Sequence, residues 1–260
     1  MNRLFFESLK KYTNHPFELI IIDNASTDGS ADYFEAVGAK VIRNDRNYSY
    51  PYSQNQGIEL ATYPYYAFLN NDIIVAPHWD KKLIAAMDAH GLEVVTGCGI
   101  ERSESPKTTL ALGRRWKLIR NVLSVFGNGF GVLKAMHAIM YGNWEAFSKK
   151  RADRFGTKVM EGFVGNTVFC HRNAIDKVGK WDERIQAADF DLYIRCKKRN
   201  LEVGDIKPVH IVLAVFNHHF IRLTVKAKPV GFADNDRLIP LEEKWTSVEL
   251  QRYLKDNIFT

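Results

Sequence analysis

Acidic and amide side chains gather at three places in this sequence where they could do chemistry. Asp23-Asn24-Ala25-Ser26-Thr27-Asp28-Gly29-Ser30 directly follows the aliphatic run Leu19-Ile20-Ile21-Ile22 and opens a helical stretch. Ligands of open α/β sheets collect at the carboxyl ends of strands, which would turn Asp23 and Asp28 toward a binding crevice. The same Ser, Thr and Asp residues could equally serve only to cap the helix. Asn70-Asn71-Asp72 ends a second run, Tyr65-Tyr66-Ala67-Phe68-Leu69. A carboxylate there can offer oxygen to Mg²⁺ or Mn²⁺ bridging a diphosphate, and a polar turn is the plain alternative. In the third place, Trp181-Asp182-Glu183 leads to Asp189-Phe190-Asp191-Leu192. Asp189 would stand at a helix start, where the macrodipole favours an ionised carboxylate able to act as a base, with a helix cap as the plain alternative. Asp191 and Arg195 are spaced i, i+4 and read as a structural pair.

The elements that must hold these residues alternate between short β-rich runs and helical stretches from residue 17 to 95. Strands are expected at 17–22, 40–42, 65–69 and 93–95, and helices at 30–37, 53–61 and 78–89. That alternation specifies a Rossmann-like, mostly parallel sheet flanked by helices. It stops at Ser103. Between Lys107 and Phe155 stand ten Lys or Arg against two acidic residues, a local surplus of 8 in a chain of net charge +6, so the remainder is slightly acidic. Within this basic insert Trp116, Leu118, Ile119, Val122, Leu123, Val125 and Phe126 fall on one half of a helix, and a second helix is expected over 132–147. A strand over 162–170, helices over 172–178 and 189–199, a strand over 209–216 and a tail helix over 240–259 complete the reading. The chain divides accordingly into an α/β half (1–102), the insert (103–156), a second half of the same domain (157–225) and a tail (226–260).

With 46% hydrophobic residues, 260 residues can bury one sizeable core but not two full domains. Cys98, Cys170 and Cys196 are too few and too scattered for a disulfide framework or a paired-cysteine zinc site, which points to a reducing compartment. No stretch reaches roughly 18 uninterrupted apolar residues. The expected location is cytoplasmic, with a peripheral place at the inner face of the plasma membrane as an option.

In this order, the motifs resemble the family-2 inverting glycosyltransferases of the A-type fold. The matching pieces are Ile21 to Ser30, Asn47 with Asn55-Gln56-Gly57, Phe68 to Asp72, Gly165-Asn166-Thr167, and Trp181-Asp182-Glu183 leading to Asp189. The resemblance implies a nucleotide-diphosphate-sugar donor, a glycan or lipid-linked acceptor and Mn²⁺ or Mg²⁺ as cofactor, in polysaccharide or glycoconjugate synthesis. It implies that Asp23 hydrogen-bonds the nucleotide base, with Asn24, Ser26, Asn55, Asn70 and Asn71 in the nucleotide pocket. Asp72 is similar to the family's metal-binding acid. His219, or else its neighbour His218, matches the histidine that helps hold the metal. Asp189 matches the general base.

The sequence also departs from the family. Met1-Asn2-Arg3-Leu4 resembles only the end of the segment that normally opens it, so the opening strand is expected to be missing, through truncation, a misplaced start or divergence. The resemblance then implies that two neighbouring strands stay unpaired or pair directly, and that nucleotide affinity is poor. Ala188 replaces a glutamate and Ser49 a glycine. A binding protein without turnover therefore stands as one alternative. A nucleotidyltransferase is another, although the Gly-rich phosphate loop expected of it is not found. Residues 114–126 admit three readings: a helix packed on the core, a helix lying on an anionic membrane surface, and, least favoured, a nucleic-acid contact, so no nucleic-acid partner is expected.

Overall fold

The computed structural model describes residues 1–223 and 230–254. An amphipathic helix, α1 (Asn2–Tyr12), comes first and buries Leu4, Phe5, Ser8 and Leu9 along one stripe. The sequence reading assigns no helix here, because the stripe is short and no capping side chain announces it. The expected alternation follows: β1 (Ile20–Asn24), α2 (Ser30–Ala36), β2 (Lys40–Asn44), α3 (Tyr50–Leu60), β3 (Tyr65–Leu69), β4 (Ile73–Ile74), α4 (Trp79–His90) and β5 (Val94–Cys98). Gly91, at φ 58°, takes the left-handed conformation that closes α4.

The basic insert is three helices, α5 (Pro106–Leu123), α6 (Phe130–Tyr141) and α7 (Trp144–Phe155), with one 3₁₀ turn at Ser124–Phe126. Ser105 starts α5 by accepting the Thr108 N–H, with Pro106 in the first turn. The single helix expected over 132–147 is broken at Gly142, φ 67°, after which Asn143 caps α7 through the Ala146 N–H. The strand expected over 162–170 is shorter. β6 (Val159–Glu161) and β7 (Thr167–His171) flank a loop at 162–166. Next come α8 (Arg172–Val178), α9 (Ala188–Glu202), β8 (His210–Phe216) and β9 (His218–His219). The expected tail helix is divided into α10 (Leu241–Lys244) and α11 (Ser247–Leu254) at Trp245, whose indole donates to the buried Asp191 at 2.8 Å. Residues 226–229 and 255–260 of the expected tail lie outside the described residues.

The main sheet has the order β3-β7-β5-β8-β6, covered by helices on both faces. β5 and β8 run parallel, whereas β7 opposes both β3 and β5, and β6 opposes β8. The α/β layering expected from the sequence is present, with strand directions more mixed than expected. β6 and β7, consecutive in the chain, run in the same direction with β8 and β5 between them. Alternation along the strands feeds two cores. Tyr66, Phe68, Val168, Cys170 and Val94 face α8 and α9, while Phe169, Val95 and Cys98 face the side of α4 and the insert.

β1 and β2 form a separate parallel pair, Ile20 opposite Lys40, and β1 is not hydrogen-bonded to β3. A two-residue antiparallel ladder places Ile73 opposite His219 and Ile74 opposite His218. This ladder decides which histidine reaches the site.

Candidate active site

Asp72 immediately precedes β4, and its carbonyl accepts the Phe220 N–H at 2.9 Å, locking the two chain segments in register. His219 thereby lies beside Asp72, with Nε2 3.1 Å from Asp72 Oδ1. Successive strand residues face opposite sides, so His218 points inward. It is buried among Trp116, His137, Tyr141 and Phe220, with Nδ1 2.9 Å from the Tyr141 hydroxyl. Burial holds the His218 imidazole well below the ordinary histidine range, so it stays neutral. The structure brings His219 and not His218 to Asp72.

Behind His219 stands Glu101, which takes the other ring nitrogen, Nδ1. Burial alone would lower the His219 pKa, but hydrogen bonds to Asp72 and Glu101 raise it to about 10. Glu101 also accepts from Asn166 Nδ2 at 3.2 Å. Gly99 makes that approach possible, because a Cβ there would lie 2.3 Å from Glu101 Oε2 and 2.6 Å from Asn166 Nδ2. Glu101 was missed in the sequence, although it follows the end of β5 as Asp72 follows the end of β3.

A cavity of about 480 Å³ opens here, and its wall includes Tyr50, Asn70, Glu101, Gly165, Asp189 and His219. Asp189 comes from the first turn of α9. Burial raises its pKa above the ordinary carboxylate value, partly offset by the Phe190 N–H, which donates to Oδ1 at 3.0 Å. A raised pKa brings a carboxylate closer to the range where it can accept a proton from a hydroxyl in the transition state. Gly165 packs directly on it, since a Cβ at Gly165 would lie 2.1 Å from Asp189 Oδ2. The Tyr50 phenol is raised by burial and by the field of Asp189.

Of the residues read from the sequence, Asn70, Asp189 and His219 line this cavity, and Asp72 lies against His219. Asn71 donates instead to Asn2 Oδ1 at 3.0 Å. Asp23 and Asn24 form a separate cluster at the end of β1. Asp23 Oδ2 accepts the Ser26 N–H, and Asn24 Nδ2 donates to the Tyr48 carbonyl and to Ser53 Oγ. Asp28 ties down the start of α2 by accepting the Ser30 N–H at 3.0 Å, and lines a smaller hollow with Met1 and Arg3. Asn55 has both amide atoms on the Trp181 backbone and also donates to Glu183. Its side chain thus fastens α3 to the loop before α9.

The donor set at Asp72 suits a divalent cation shared with a substrate. One carboxylate and one imidazole nitrogen face each other, and Glu101 on the far nitrogen orients the ring, as outer carboxylates do for metal-bound histidines. Among the described residues no group of three or more His, Cys, Asp or Glu can enclose a metal. Further ligands would have to come from water and phosphate oxygens, which is how Mg²⁺ is usually held beside a diphosphate.

A family model described as Glycosyl transferase family 2 matches residues 3–179, more than half of the chain. A search of curated proteins returned no match. Among solved structures, GalNAc-T7 with UDP, GalNAc and Mn²⁺ overlays with a TM-score of 0.56 at 13% identity, covering 96% of this chain and 46% of that one. This likeness is one of fold. A mannosyltransferase from Pyrobaculum calidifontis in complex with GDP-Man and Mn²⁺ gives a TM-score of 0.47 at 14% identity, covering 81% of this chain and 53% of that one. S. aureus TarS 1-349 gives 0.47 at 12% identity, covering 83% and 56%. The chain spans about half the length of these structures.

Proposed function

The chain belongs to glycosyl transferase family 2, and we propose that it moves a sugar from a nucleotide-diphosphate sugar to an acceptor hydroxyl with inversion at the anomeric carbon. The observation that carries this reading is the single cavity lined by both Asp189 and His219, with Asp72 hydrogen-bonded to His219. A base and a diphosphate-binding pair then stand on one volume, as an in-line displacement requires.

In this reading Asp189 accepts the proton of the acceptor hydroxyl. The freed oxygen pair attacks the anomeric carbon as the bond to the diphosphate oxygen breaks, and that oxygen keeps the bonding electrons. Mn²⁺ or Mg²⁺ held by Asp72 and His219 would supply the charge that offsets the departing diphosphate. Glu101 and Asn166 fix the orientation of His219. Asp23, with Asn24 and Ser26, takes the nucleotide base, while Asn70 and Asn71 border the phosphates. The acceptor is a glycan or a lipid-linked alcohol in polysaccharide or glycoconjugate synthesis.

A second reading is nucleotide-sugar binding without turnover, in which the same cavity holds the donor but Asp189 activates no acceptor. Transfer and donor-hydrolysis assays over a panel of nucleotide sugars, with and without Mn²⁺, separate the two. Asp189→Asn is expected to abolish transfer with donor affinity nearly unchanged. Retained transfer would remove Asp189 from its role, and metal-dependent binding with no turnover in the unmodified protein would favour the second reading.

A further inference from the structure

Helix α5 carries two apolar stripes, and only one of them has a partner. Leu112, Trp116, Ile119 and Leu123, spaced i, i+4, i+7, i+11, pack on the core. Trp116 lies edge-on to His218 and Phe220 and donates to the Ile221 carbonyl. The inner face of α5 therefore supports the strand that carries His219. The ordinary packed-helix reading of this segment is satisfied by that stripe alone.

The second stripe, Leu118, Val122 and Val125, points outward and continues into Phe126. These side chains are 67%, 55%, 81% and 75% exposed, at the far end of the hairpin between α5 and α6. Gly127, Asn128 and Gly129 at the turn are exposed as well. Nothing among the described residues covers this tip, and single exposed apolar residues are common, whereas four contiguous ones are not.

Charge identifies the occupant. From Ser105 to Asn143 the chain contains no Asp or Glu and six cations, Lys107, Arg114, Arg115, Lys117, Arg120 and Lys134. Lys107, Arg114 and Arg115 stand on the outer face N-terminal to the apolar tip, and Lys117 flanks it. The groups to which Arg115 and Arg120 donate are neutral: the Ile139 and Ile221 carbonyls and the Asn121 amide. An apolar tip bordered by cations, on a segment that carries no carboxylate of its own, matches the boundary between anionic headgroups and acyl chains. No helix among the described residues is long and apolar enough to cross a membrane, so the contact would be peripheral.

We propose that the outer face of α5 docks on an anionic lipid bilayer, with Val125 and Phe126 entering the acyl boundary and Arg114, Arg115 and Lys117 facing headgroup phosphates. The packed stripe of the same helix then ties that contact to the segment bearing His219. This goes beyond sugar transfer and does not depend on it.

Co-sedimentation of the full chain with phosphatidylcholine vesicles, with and without phosphatidylserine, tests the proposal. Binding is expected only with phosphatidylserine and should be released by high salt. Val125→Asp combined with Phe126→Asp should weaken it by about a hundredfold or more, the loss expected for two large apolar side chains kept in water. Arg114→Gln and Lys117→Gln should each weaken it by about fivefold. Leu201→Asp with Val203→Asp, exposed apolar positions at the end of α9, should change nothing. Circular dichroism checks that each variant is folded. No sedimentation with anionic vesicles overturns the proposal, as does a tip variant that sediments like the parent. So does a concentration-dependent dimer that the tip variant dissolves, since a second copy would then cover the patch. Sedimentation needs no turnover, so its failure leaves the transfer reading intact, and the reverse also holds.

Discussion

Gly165→Ala should disable the proposed base without touching it chemically. A Cβ at residue 165 would lie 2.1 Å from Asp189 Oδ2 and 3.2 Å from Asp189 Cγ. Unstrained non-bonded heavy atoms sit about 3.5 Å apart or more, so the carboxylate must withdraw by roughly 1.4 Å or turn about its side-chain bonds. Displacing a reacting group by about 1 Å can cost on the order of 100-fold in rate, and a positioned general base contributes about 100- to 10,000-fold in all. The expected fall in kcat is therefore about 100- to 1,000-fold, or roughly 3–4 kcal/mol of transition-state stabilisation. Gly165 does not have the left-handed backbone that only glycine tolerates, so the fold should survive with Tm little changed. Donor affinity should stay within about twofold, because in the proposed reading the nucleotide is not held through Asp189. Single-turnover transfer, nucleotide calorimetry and thermal melting read the three quantities separately. A double-mutant cycle with Asp189→Asn sharpens the test, since the second substitution should add almost nothing to the first if both act through one carboxylate. A folded Gly165→Ala variant within about threefold of the parent in kcat would refute this placement of the base.

Two further predictions concern carboxylates that the sequence reading did not select. Glu101→Gln removes the carboxylate that fixes His219 Nδ1, and should weaken Mn²⁺-dependent nucleotide binding by about 10- to 100-fold, read by calorimetry, with little change in Tm; unchanged metal dependence would separate Glu101 from the site. Glu104 is 12% exposed beside Arg151 at 3.0 Å, and burial, which would raise its pKa, is outweighed by bonds from Ser103, its own backbone and Arg151 that lower it to about 2. Because this folded value lies below the ordinary 4.5, the contribution is complete above about pH 4.5 and is lost as pH falls toward 2. The shift corresponds to about 3 kcal/mol as an upper figure. Glu104→Gln should therefore cost about 2–3 kcal/mol at neutral pH and flatten acid unfolding over that window; parallel acid-melting curves for variant and parent would contradict it.

The strand-end rule carried the sequence reading a long way. Asp72 follows β3 and sits at the site because aliphatic runs predict strands and strand ends gather ligands. The rule applied equally to Glu101, two residues beyond Gly99, but a single Glu between Ile100 and Arg102 has no neighbouring motif to single it out. The choice between His218 and His219 was not legible, since it depends on the two-residue register of β4 with β9, which is too short to leave a periodic pattern. Cap chemistry explains most shifted boundaries. Gly142 and Asn143 end one helix and begin another inside an apolar run that periodicity alone reads as continuous.

β1, which carries Asp23, and β3, which leads to Asp72, share no ladder hydrogen bonds. In a continuous sheet, Asp23 would be positioned relative to Asp72 by ladder hydrogen bonds, which are cooperative and stiff. Here the connection runs through α3. Asn24 is bonded to Ser53, one helical turn from Tyr50, and Tyr50 lines the cavity with Asp189. Ser49, at the start of the same helix, is held by Asp234 through both its N–H, at 2.9 Å, and its hydroxyl, at 2.6 Å. The segment at 230–234 is fastened again where Asn47 donates to the Val230 carbonyl. A helix seated by side-chain bonds, at Ser49, Ser53 and Asn55, can shift as a body more easily than a paired strand can slip. In the proposed reading, nucleotide contacts at Asp23 would be coupled to Asp189 by the seating of α3. Loosening that seat, as Asp234→Ala would, should weaken donor binding and transfer together, unlike a change at Asp189, which acts on transfer alone.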